Sequence, residues 1–233
     1  MNKFLLLFAF STPLIISAQG TRQISDPVVN NQFGYLSQVP PKAPGLVGSI
    51  YLNEDWKKAT LNLRKTTLNI GKLVDIELKL DLKTNTFELQ TDKDVKVLGG
   101  SNVESFTWLN DPKSTEVKYI NCDKFSFGGT KLEGFGRVVA EGRKLSLIEH
   151  HYLEFIKADY NVALDVGSKD HKLVKRAKLY FLKDNQLIPA SKRSVQAVMA
   201  DQEQQVSRYT KEQKLSVKEE QDLATLVRYY DSL

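Results

Sequence analysis

From Tyr51 onward apolar and polar residues alternate with a period of two. Val74, Ile76, Leu78 and Leu80 are interleaved with Asp75, Glu77 and Lys79, which predicts a strand with one buried and one wetted face. Asp81 to Asn85 reads as a turn, and Phe87 and Leu89 resume the alternation on a returning strand. Similar runs recur at 60–64, 66–70, 94–98, 103–109, 115–120, 133–140, 143–155, 172–182 and 186–189. Glu141-Gly142 and Asp184-Asn185 are pairs of the kind that close tight hairpins, because Gly and Asn enter positive φ at little cost. Near the end the spacing becomes helical: Val195, Val198, Met199, Val206 and Tyr209, then Leu223, Leu226, Val227 and Tyr230. Ser216 with Glu219 predicts a capping box opening the last helix. The expected fold is α+β: a mainly antiparallel meander of about eight to ten strands over 49–190, then a pair of amphipathic helices over 191–233 packed on the sheet.

The N-terminal region has neither period. Lys3, the apolar run Phe4 to Ile16 and the small residues Ser17-Ala18 predict a signal peptide over 1–18, cleaved before Gln19. The run is short for a bilayer span, and no cysteine near the cleavage point would carry a lipid. Residues 19–48, punctuated by Asp26-Pro27, Pro40-Pro41, Pro44-Gly45 and Gly48-Ser49, read as a flexible leader. The expected location is the periplasm or the exterior, with no transmembrane span left after cleavage.

Composition narrows the function classes. The chain has 233 residues, 41% hydrophobic and 26% charged, ordinary values that argue against wholesale disorder and a polytopic membrane protein. Its net charge of +5 falls by one unit once Lys3 is removed, and both signs are mixed along the chain, so no nucleic-acid partner is expected. Cys122 is the only cysteine, which excludes an internal disulfide and favours a buried thiol.

Several stretches carry a resemblance. The opening GSIYLNEDW at 48–56, the mid-chain VVAEGRKLSLIEHH, LYFLKDNQLIPASKRSV, and DLATLVRYYDSL with Leu226-Val227 and Tyr229-Tyr230 together resemble, over about residues 48–233, an exported Bacteroidota protein family of unknown function. The resemblance implies export and brings no catalytic or binding residue with it.

Candidate chemistry is sparse. His150 and His151 are adjacent on a strand and project to opposite faces, which disfavours a shared metal, and with His171 they read as one half-buried and two solvated imidazoles. Gly128, Gly129, Gly134 and Gly136 lack phosphate-loop spacing and read as bends or bulges. Asp159, Asp165, Ser168 and Asp170 around Gly167 offer oxygens suited to calcium without the EF-hand spacing, and turns use the same residues. Asp75 and Glu77 share a predicted face that reads as solvated surface. Phe106 and Trp108 share a strand face and are expected in the core; a sheet curved enough to close would turn them towards an apolar ligand. Lys172, Arg176 and Lys178 share another face, suited to an anionic partner or to an edge that discourages pairing. No cofactor, catalytic residue or metal ligand is expected. The expected function is a non-catalytic binding or structural role in the cell envelope, with an envelope protein or an apolar ligand as partner. The alternatives are a carrier of a lipid or other hydrophobic molecule and a hydrolase of envelope polymers.

Overall fold

The computed structural model describes residues 46–64, 71–110, 115–159, 161, 164, 166–168 and 170–233. The expected signal peptide, most of the leader and the strand expected at 66–70 lie outside them. The alternating runs become β2 (Lys57–Leu63), β3 (Lys72–Asp81), β4 (Thr86–Gln90), β5 (Val95–Gly99), β6 (Val103–Asn110), β7 (Thr115–Asn121), β10 (Phe135–Ala140), β11 (Ser146–Ile156), β12 (His171–Lys183) and β13 (Gln186–Pro189). Three two-residue strands, β1 (Leu46–Val47), β8 (Ser126–Phe127) and β9 (Thr130–Lys131), bring the sheet to 13, more than the eight to ten expected. They are too short to carry an alternation.

The order is β5-β4-β3-β2-β6-β7-β10-β11-β12-β13-β8-β9, antiparallel except where β8 joins β13 and β1 joins β12, and the sheet is not closed. It is nevertheless strongly curved. Residues 46–52 form a strap whose start pairs with His171 and Lys172 on β12, while Leu52 N donates to Leu80 O (2.9 Å) and Leu82 N donates to Ile50 O (2.8 Å) at the end of β3. Laid flat, the six steps from β3 to β12 would separate them by about 29 Å at ~4.8 Å per strand. The three residue steps from Val47 to Ile50 reach about 11 Å at most, so the sheet must curl to bring both ends to the strap. Tyr51 adds a hydroxyl bond to Glu88 Oε1 (2.7 Å), and Gly48, at φ +116°, lies where a Cβ would stand 2.3 Å from Leu173 O. The first described residues therefore belong to the sheet, whereas the expected leader ran to 48.

Register places Leu61, Phe106, Tyr119, Arg137, Glu149 and Leu179 opposite one another along one row of the inner face. At the β2–β7 end this face packs on itself. Phe106 is fully buried, stacked on Tyr119 (4.6 Å between centroids) and edge-on to Phe87, Trp108 and Phe135. The expected core role of Phe106 and Trp108 holds, and their rings fill the interior. At the β10–β13 end, helices cover the face: α1 (Lys192–Val198), α2 (Glu203–Glu212) and α3 (Glu220–Ser232) bury Val195, Met199, Val206, Leu223, Leu226, Val227 and Tyr230 against Ala140, Leu147 and Phe181. The outer face has a smaller cluster, in which Cys122, Phe125, Ile148, Tyr180 and Leu187 pack beneath the β8–β9 excursion. Gly136 lets β10 approach there, since a Cβ would meet Ile148 Cγ2 at 2.3 Å. Burial pushes the Cys122 thiol up to about 12.

Local details depart from expectation where one residue breaks the period. Asp75 adopts φ 60° where the β2–β3 register shifts, so Val74 is 64% exposed instead of sharing the buried face of Ile76 and Leu78. The first expected helix is interrupted between Val198 and Glu203 by a 3-10 turn. The capping box forms at Ser191 and Ser194, not at Ser216, whose backbone N–H instead donates to Asp222 Oδ2 (2.8 Å) before α3 begins at Glu220. The Asp184-Asn185 hairpin forms as expected, with φ of 48° and 63°.

Candidate functional site

Between the self-packed and helix-covered parts of the inner face lies a cleft of about 310 Å³. Leu52 at the end of the strap and the following Asn53 border it, and its wall is built from Lys57 (β2), Trp108 (β6), Val117 and Tyr119 (β7), Arg137 (β10), His151 (β11) and Lys175 (β12). Alternation explains why these side chains converge: Glu149 and His151 share a face with the buried Leu147, and Arg137 is registered opposite both Tyr119 and Glu149.

Arg137 is the most constrained cation of the wall. Its Nε donates to Glu149 Oε2 (2.7 Å) and its Nη2 donates to Glu220 Oε2 (2.6 Å), fastening α3 to the sheet. Lys175 Nζ donates to the strap carbonyl of Leu52 (2.6 Å), and Lys57 Nζ lies 5.8 Å from the centroid of the Trp108 ring. Burial pushes the Tyr119 hydroxyl up to about 12, so it stays protonated. His151 Nε2 lies 3.5 Å from Glu149 Oε2. Burial, reinforced by Arg137 and Lys175 and opposed by Glu149, holds its imidazole below the ordinary range and therefore neutral at pH 7. Two buried side-chain nitrogens have no hydrogen-bond partner among the described residues, Trp108 Nε1 and His151 Nδ1, and both sit on residues that line this wall.

The sequence-predicted surface is thus split. Trp108 reaches the cleft and Phe106 lies behind it in the core. Lys172, Arg176 and Lys178 occupy the convex face, where Arg176 Nε donates to Glu154 Oε2 (2.7 Å) and Lys178 Nζ lies 5.6 Å from the Tyr180 ring centroid. The basic residue that reaches the cleft is Lys175, of the opposite parity. The histidines also correct expectation. His150 is 5% exposed and donates through Nε2 to Glu133 O (2.8 Å), His151 is half-buried, and His171 Nδ1 accepts from Ala158 N (3.0 Å).

Other expectations resolve into local structure. In the described part of 159–170, Ser168 N donates to Asp159 Oδ1 (2.8 Å) and Ser168 Oγ donates to Asp170 O (3.0 Å), the bonding of a turn; Asp165 lies outside the described residues. Among the described residues no group of three or more His, Cys, Asp or Glu is placed to hold a metal ion, and no helix is long and apolar enough to cross a membrane. A second cavity, of about 450 Å³, lies among the helices, with Val195, Met199, Val206, Leu215 and Val217 on its walls and Lys192, Lys211, Lys218 and Glu203 at its rim. No family model, no curated protein and no solved structure matches the chain.

Proposed function

We propose that the protein is an exported, non-catalytic binding protein of the cell envelope that takes a small polar molecule into the concave cleft. The observation that carries this reading is the pair of buried nitrogens without partners, Trp108 Nε1 and His151 Nδ1, in one wall. An unpaired buried polar group costs about 1–3 kcal/mol, and a ligand can supply what the fold withholds. The lining favours binding over hydrolysis, since among the described residues it contains no Ser, Thr, Cys, Asp or Glu, and the Glu149 carboxylate behind His151 is engaged by Arg137. Export rests on the pattern from Lys3 to Ala18 and on the resemblance to exported Bacteroidota proteins.

Thermal unfolding of the protein against a library of small polar compounds tests this. A ligand held at about 100 times its Kd adds about 2.7 kcal/mol and should raise Tm by several degrees, and Trp108→Phe should cut the shift to about half or less. A library without any shift, or shifts undiminished in Trp108→Phe, would overturn the reading.

A second reading, carriage of a hydrophobic molecule, moves from the sheet, whose interior the aromatic rings fill, to the helical cavity. Three lysines against one glutamate at its rim suit a single-chain carboxylate. Native mass spectrometry of protein prepared without detergent would detect such a cargo, and a bare polypeptide mass in repeated preparations would remove this reading.

A further inference from the structure

The hydrogen-bonding inventory of the cleft wall names the class of its ligand. Trp108 Nε1 can only donate, lies on a residue 5% exposed, and meets no acceptor among the described residues. Lys57 has no carboxylate within ion-pair distance among the described residues, and Lys175 directs one of its three N–H groups to Leu52 O. Arg137 bonds its two carboxylates through Nε and Nη2, which leaves N–H groups on its other terminal nitrogen. Neither Glu149 nor Glu220 lies on the wall itself. Among the described residues, the only side-chain oxygens on it are the Asn53 amide and the Tyr119 hydroxyl. Among the described residues the wall is therefore rich in donors and poor in acceptors, and it carries Lys57 and Lys175 with no lining carboxylate against them, beside an Arg137 already paired with Glu149 and Glu220.

We propose, resting on the binding reading above, that the cleft recognises a compact oxyanion, a molecule whose carboxylate, phosphate or sulfate group accepts from Trp108 Nε1 and Arg137 while Lys57 and Lys175 balance its charge. Charge-assisted bonds of this type are shorter and about twice as strong as neutral ones, and the low-dielectric setting beside Trp108 and Val117 strengthens them further. The volume of about 310 Å³ stands at the lower end of small-molecule sites. It suits one sugar-acid-sized molecule. His151 contributes Nδ1 as a second contact whose role as donor or acceptor follows the ligand. Lys175 also ties the ligand to the strap, because the same ammonium holds Leu52 O.

Isothermal titration of the full chain at pH 7 and low salt tests the proposal with inorganic phosphate, sulfate and D-glucuronate as probes and D-glucose as the uncharged counterpart of glucuronate. At least one anion should bind at a single site, at least about tenfold more tightly than glucose, and more weakly as salt is added. Preference for phosphate or sulfate over glucuronate would assign a phosphoryl or sulfuryl source, and the reverse a carboxylate. Trp108→Phe and Lys175→Met should each weaken binding about tenfold or more. Lys57→Met, on a half-buried residue of the cleft rim, keeps the test interpretable if Trp108→Phe loses its fold by near-ultraviolet circular dichroism. Glucose binding as tightly as glucuronate and lost in Trp108→Phe would overturn the anion inference and leave the binding reading intact. Saturable anion binding unaffected by all three substitutions would overturn the assignment to this cleft. Silence of all four probes at about 10 mM would overturn the anion inference, and silence in the wider library would then remove the binding reading as well.

Discussion

The two parts of the inner face are sealed by different means. At the β2–β7 end one curved sheet is its own cover, because rings from β4, β6, β7 and β10 meet across the concavity. At the β10–β13 end the same face is flatter in its chemistry, with Leu147, Phe181 and Ala140 roofed by helices through Leu226, Val227 and Tyr230. Tyr230 is also fixed by polar bonds, its hydroxyl donating to Asp201 Oδ1 (2.7 Å), and Lys183 Nζ donates to Val198 O (2.6 Å). Neither cover extends over the strip between them. There the row from Tyr119 to Leu179 changes from ring to ion pair, and polar side chains stand where self-packing and helix packing both stop. The cleft is a property of this boundary.

The comparison can be broken most forcefully at Phe106. Phe106→Ala should destabilise by about 3–5 kcal/mol, whereas Leu226→Ala should cost about 2–5 kcal/mol and loosen the helices first. Urea unfolding with amide exchange checks this: early exchange confined to α1–α3 in Leu226→Ala, but spread over β2–β7 in Phe106→Ala, is the expected contrast. Equal, uniform exchange would show that the two covers act as one unit. Arg137→Met addresses the boundary itself. It leaves Glu149, whose side chain is 15% exposed, without its guanidinium and releases Glu220 at the start of α3, for an expected loss of about 1–3 kcal/mol. Faster exchange at the N-terminus of α3 should accompany it, and unchanged exchange there would mean that apolar packing alone docks the helix.

The smallest effect is one of pH. Burial lowers the pKa of both His150 and His151, so the unfolded chain binds more protons than the folded one as pH drops below the ordinary histidine value near 6.5. Stability from these groups should be fully present above that value and fall as the medium is acidified, levelling off below the folded-state values. Urea midpoints measured from pH 7.5 to 5 should decline, with a shallower slope in His150→Gln. A rise on acidification would reverse the assigned direction.

How much of this was legible depended on whether the deciding signal was local. Asp184-Asn185 announced its hairpin because both residues tolerate positive φ, and the long strands announced themselves by alternation. Asp75 did not announce its bulge, since an aspartate in an alternating run looks like any wetted position. Parity places Lys172, Arg176 and Lys178 together but does not say which face is concave, and so it gives no sign that the neighbouring Lys175 is the one that reaches the cleft. One signal for the cleft was present: Glu149 and His151 fall on the face of Leu147, a polar pair continuing an apolar stripe. Its meaning needed the pairing of β10 with β7 and β11, which brings Arg137 beside Tyr119 and Glu149. The strap was out of reach for another reason. Residues 46–52 hydrogen-bond to strands far along the chain, and Pro44 to Ser49 resemble any turn-rich connection.

Cys122 has a practical consequence for work on this molecule. Its thiol is fully enclosed beneath β8 and β9 and strongly disinclined to ionise. A cysteine placed at the cleft mouth, at Asn53 for instance, would be the single site open to maleimide dyes, so a fluorophore there could report occupancy without first engineering out the native sulfur.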